Sequence, residues 1–170
     1  MSLFQKLGIV GDGKGPRDTQ GDTKTVRKIV RKLEALPPER ARYLAAFAYV
    51  LTRVANADRI IHDVEVAEME RIVAEHGRLS EDLAVLVVQI AKAQNQLLGG
   101  TEDYLVTREL ARVATREQKQ ELLRCLFAVA ASDGSISVAE ENEIALIHSE
   151  LKTPRADLTE ANVPFARWLE

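Results

Sequence analysis

Four carboxylates stand at matching places along the chain: Asp58 with Glu65, and Asp133 with Glu140. Each pair follows one spacing, Asp-x-x-Ile-x-x-x-Glu. The second copy, Asp133-Gly134-Ser135-Ile136-Ser137-Val138-Ala139-Glu140, matches the back half of an EF-hand loop. There the glycine makes the sharp turn, the isoleucine pins the loop, and the last glutamate reaches back to the cation. The front half is missing, because the earlier ligand positions hold Val129 and Ala131. One such turn is a poor calcium site. Two turns brought together would offer four oxygen-bearing side chains, the donor set that hard divalent cations favour. Without a cation, the same four groups would repel one another and raise some of their own pKa values.

A simpler chemistry competes. Ser137-Val138-Ala139-Glu140 fits a capping box, in which Glu140 bonds the Ser137 backbone N–H. Asp133-Gly134 is a common turn pair. The first copy fits less well: His62 stands where Ser137 would be, and Arg59 replaces the glycine. A left-handed turn at Arg59 costs about 1 kcal/mol.

The elements that must position these groups all read as helices. Val26, Ile29, Val30 and Leu33 recur at helical spacing, and Pro37-Pro38 ends that segment. Leu44, Phe47, Ala48, Leu51, Val54 and Ala55 share one face of a helix over about 38–56. A third helix spans about 63–76 and stops at His76-Gly77, a C-cap signal. Ser80 caps a fourth, Gly99-Gly100 breaks it, and Thr101 opens a fifth. Thr115 to Gln118 is a capping-box pattern for a sixth, which buries Leu122, Cys125, Leu126, Val129 and Ala130. A seventh starts near Ser137 and ends by Pro154, and a terminal helix over about 156–169 is irregular at Pro164. No segment shows sustained alternation of period two, so the fold class is all-α.

Shifting the chain by 75 residues against itself exposes an internal repeat. Eleven identities fall within 33 ungapped positions, from Leu51/Leu126 to Leu83/Leu158. Besides the two turn pairs they include Glu68/Glu143, Glu75/Glu150 and Asp82/Asp157. The expectation is a bundle of seven to eight helices built from two helix–turn–helix repeats, about 39–98 and 114–170, related by a pseudo-twofold axis. Residues 1–21 carry several glycines and read as a flexible leader before a single domain, 22–170. Its Gly11 to Gly15 stretch lacks P-loop spacing.

Composition narrows the function. The 170 residues are 46% hydrophobic and 29% charged, with a net charge of −3, which excludes a disordered chain and gives no nucleic-acid signal. Residues 1–36 carry +4 and the remainder −7, so a basic N-terminal arm could meet an acidic partner or a membrane surface. Cys125 is the one cysteine and reads as a core residue. His62, His76 and His148 show no zinc spacing, although His62 beside the first turn is a candidate extra ligand. No nucleophile elbow occurs, and nothing in the pattern argues for an enzyme. No apolar run reaches the ~18 residues of a membrane span, and the first residues lack a signal-peptide core, so a cytoplasmic protein is expected.

The stretches Ala55 to Glu65 and Ala130 to Glu140 resemble the paired acidic turns of the tellurite-resistance TerB family, and the likeness covers about 22–170. TerB-like domains also resemble the N-terminal part of certain membrane-anchored J-domain co-chaperones. The resemblance implies an all-helical, non-enzymatic cytoplasmic domain, peripheral to the membrane. It implies a divalent cation, calcium first and magnesium next, on Asp58, Glu65, Asp133 and Glu140. It also implies protein partners in stress or tellurite-response complexes. The alternative is a metal-independent helical scaffold for protein interactions, whose acids only cap helices.

Overall fold

The computed structural model describes residues 23–55, 63–97 and 103–169. Eight α-helices occur among them: α1 Thr23–Glu34, α2 Pro38–Ala55, α3 Asp63–His76, α4 Glu81–Leu97, α5 Asp103–Val113, α6 Arg116–Ala130, α7 Val138–Leu151 and α8 Arg155–Asn162. Short 3-10 turns follow α6 (Ala131–Asp133) and α8 (Val163–Trp168). The class is all-α, as expected. The leader falls outside the described residues.

Local chemistry sets the helix ends. Pro38 opens α2, where a missing N–H costs nothing. Thr115 caps α6 by accepting the Gln118 N–H at 3.2 Å, while Gln118 returns the bond to the Thr115 N–H at 2.9 Å. One end differs from expectation. The left-handed residue after α3 is Arg78 (φ 49°), not Gly77. Gly77 is small for another reason: a Cβ there would meet the Val73 carbonyl oxygen at 2.5 Å and Phe47 Cζ at 3.2 Å. The terminal segment is irregular where expected. It changes from α to 3-10 at Val163, beside Pro164, whose ring and missing N–H do not fit a helix interior.

α2 is the hub. From Tyr43 to Thr52 every side chain is buried, and the alanines at 45, 46 and 48 let neighbours approach closely. α2 packs against α4, α5, α6 and α7. α1 lays Ile29 and Leu33 on this core and keeps Arg27, Lys28, Arg31 and Lys32 in solvent. Helix ends recur 75 residues apart: Ala55 with Ala130, Asp63 with Val138, His76 with Leu151. The packing crosses between the halves, since α2 meets α7 and α6 meets α3. Cys125 lies wholly within the core, where burial pushes its thiol up to about 12. No helix among the described residues is long and apolar enough to cross a membrane.

Candidate functional site

The second acidic turn is fully described. After α6 the chain makes one 3-10 turn and reverses at Gly134, whose φ of 100° lies in the left-handed region. Asp133 stays exposed, and its Oδ1 accepts the Ser135 N–H at 3.2 Å. The buried Ile136 donates its N–H to the Trp168 carbonyl at 2.6 Å and forms a one-residue parallel bridge with Leu169. This turn is therefore pinned to the C-terminal segment.

Glu140 is 6% exposed. Its Oε2 accepts the Ser137 N–H at 2.8 Å and the Ser137 hydroxyl at 2.9 Å, and its own N–H donates to Ser137 Oγ at 3.2 Å. This is a complete capping box. Glu140→Ala should lower stability by about 0.5–2 kcal/mol, read from the urea midpoint. The EF-hand positions ahead of Asp133 belong to regular structure, with Val129 in α6 and Ala131 in the 3-10 turn.

The other repeated acids are held by arginines. On the exposed face of α3, Arg71 donates to Glu68 at 2.7 Å and to Glu75 at 2.8 Å. On α7 the matching pair, Glu143 and Glu150, turns inward to Arg53 of α2. Arg53 Nε donates to Glu143 Oε1 at 2.6 Å. Its Nη1 donates to Glu150 Oε2 at 2.6 Å and to the Thr107 hydroxyl of α5 at 2.9 Å. The Arg53 side chain is 7% exposed. Burial opposes its charge, but the bonds and attraction from Glu150 and Glu143 outweigh that, so its pKa rises above the ordinary guanidinium value. Leu146 stands where the repeat would place a second Arg71, and it is half exposed.

Asp157, at the start of α8, is 1% exposed. Arg116 grips both its oxygens, at 2.9 and 3.2 Å, and Gln120 Nε2 donates to Oδ1 at 3.0 Å. The Arg116 bond leads in holding its carboxyl below the usual range. A depressed carboxyl pKa gives stability that is complete above the unfolded value, about 3.9, and is lost as pH falls through the folded one. Urea midpoints measured from pH ~6 down to ~2 should fall less for Asp157→Asn than for the wild type.

The four carboxylates singled out by spacing are thus only partly placed. Asp58 lies outside the described residues, as does His62. Glu65 enters through its backbone alone, in the first turn of α3. Asp133 and Glu140 bound one turn, the first facing solvent and the second sealed in its cap. Among the described residues no group of three or more His, Cys, Asp or Glu is placed to hold a metal. His148 Nε2 meets the Pro154 carbonyl at 3.1 Å, and His76 packs edge-on to Phe165.

Spacing alone passed over Arg53, Thr107, Arg116 and Gln120. A signal for Arg53 does exist. It is the one charge inside the otherwise uncharged stretch from Tyr43 to Ala55, and Glu143 and Glu150 lie seven residues apart, two turns of one helix face.

These features define an all-helical module whose helices are tied together by buried and half-buried charge pairs. The family model described as Tellurite resistance protein TerB matches residues 44–163, and the chain belongs to the TerB family. No curated protein matches the chain, and no solved structure does.

Proposed function

We propose that the chain acts as a non-enzymatic TerB-family module, a rigid helical scaffold that presents its surface to protein partners. The observation that carries this reading is the use made of the repeated acids. Glu140 closes a cap, Glu143 and Glu150 hold Arg53, and Asp157 holds Arg116. In the second copy these acids are thus taken up by packing and by a helix end. The buried Cys125 thiol, pushed up to about 12, is unsuited to act as a nucleophile. Membrane-associated stress-response or tellurite-resistance complexes, met from the cytoplasm, are the partners this reading takes from the family.

A second reading keeps the divalent cation, calcium before magnesium, on Asp58, Glu65, Asp133 and Glu140. It is favoured by Asp133, which remains exposed on a glycine turn seven residues ahead of Glu140. A cation there would compete with the capping box for the Glu140 carboxylate.

Thermal unfolding with about 5 mM calcium separates the two, since a ligand selective for the folded state raises Tm once its concentration passes Kd. The scaffold predicts an unchanged Tm, and a partner captured equally well with chelator present. A rise of several degrees, lost in Asp58→Asn with Asp133→Asn, would overturn the metal-independent reading.

A further inference from the structure

We propose that the groove between α5, α6 and the end of α7 binds a small molecule carrying two or more phosphate groups. Its volume is about 570 Å³. That lies within the range of small-molecule sites, about 300–1,000 Å³. Arg108 and Arg112 reach it from α5, Lys119 from α6, and Lys152 from the residue that caps α7. Glu109 is the one acid on its lining, and it is already held by Arg112 at 2.6 Å. The lining therefore carries four cations against one anion, in a chain whose net charge is −3.

Two further observations point to an anion. Arg108, Lys119 and Lys152 make no ion pair among the described residues, so their charges are open to a ligand. Burial lowers the Lys119 pKa, and a phosphate beside it would oppose that shift. Guanidinium forks suit phosphate oxygens, and ammonium groups add point charge. Ala111 and Leu151 supply a small apolar wall. A long polyanion fits less well, since the cations converge on one hollow and the basic face of α1 is not part of its lining. The competing account is that these cations only offset the carbonyl ends of α5 and α7.

The test is an amide NMR titration of the full chain with tripolyphosphate, at a fixed ionic strength of about 0.15 M to hold screening constant. Saturable shifts are expected at Ala111, Arg112, Lys119, Leu151 and Lys152, with Kd below about 1 mM. Lys119→Gln with Lys152→Gln should weaken binding at least tenfold, and so should Arg108→Gln alone in a separate variant. Arg27→Gln with Lys28→Gln on α1 should leave it unchanged. Unchanged thermal unfolding of each variant confirms that it is folded. An ATP arm identifies the source: tighter binding than tripolyphosphate points to a nucleotide, and equal binding to the phosphate chain alone. Shifts that never saturate, or that α1 substitutions reduce as much as groove substitutions do, overturn the proposal and leave charge compensation at helix ends.

Discussion

Arg53→Ala is expected to cost the fold about 3–5 kcal/mol, the loss seen when one partner of a buried ion pair is removed. The guanidinium joins three helices: it sits on α2, bonds Glu143 and Glu150 on α7, and bonds the Thr107 hydroxyl on α5. Truncation leaves two carboxylates facing a cavity. Glu150, at 11% side-chain exposure, can gain little water in return. The two acids then repel each other across that cavity. Arg53→Lys keeps the charge but loses the fork, so its cost should be intermediate. Combining Arg53→Met with Glu143→Gln and Glu150→Gln should recover much of the loss, because the penalty lies in the unpaired charge and not in the absence of the pair. Arg71→Ala is the control. It breaks contacts to Glu68 and Glu75 that are exposed on both sides, and should leave the urea midpoint nearly unchanged. Urea unfolding at neutral pH measures all of these. A loss under about 1 kcal/mol for Arg53→Ala would place the network among solvated surface pairs.

That contrast shows what the sequence disclosed and what it withheld. Helical periodicity placed the starts of α2, α6 and α7 closely, because Pro38, Thr115 and Ser137 act on their own first turns and need no distant partner. The 75-residue repeat was equally legible, and matched helix ends do recur at that offset. What spacing could not supply was the direction in which each acid points. Glu68 and Glu143 occupy equivalent places, yet one meets Arg71, one turn along its own helix, while the other meets an arginine from a distant part of the chain. Identical letters therefore hide a surface pair and a buried one. Gly77 misled in a similar way. It stands at a helix end, but the left-handed turn is made by Arg78, and Gly77 is small because Phe47 and the Val73 carbonyl press on it. Glu140 was read correctly as far as its cap, since a capping box is local. Whether the first turn joins the second depends on Asp58 and on the Glu65 side chain, which lie outside the described part of the chain.

Phe165→Ala is expected to lower stability by about 3 kcal/mol, the lower end for removing a buried phenyl ring, since this site lies near the surface and can partly close. Phe165 is 9% exposed. It stacks on Phe127 of α6 at 6.4 Å, meets His76 of α3 edge-on at 5.9 Å, and lies 5.9 Å from Trp168. One ring thus ties the C-terminal turn to both halves of the bundle. The consequence reaches the acidic turn, because Ile136 donates to the carbonyl of Trp168, three residues beyond Phe165. Loosening the segment should speed exchange of the Ile136 amide with solvent, while the Glu140 amide, held by Ser137 within its own capping box, should keep its protection until the whole chain unfolds. Trp168 is the single tryptophan, so its emission reports on the segment alone and should shift to the red well before the helical signal is lost. If instead the Ile136 amide stays protected while Trp168 becomes exposed, the turn is held by something other than the C-terminal segment. Pairing with the first acidic turn would then be the arrangement to examine, and the cation reading would gain the geometric support that the capped form of Glu140 does not give it.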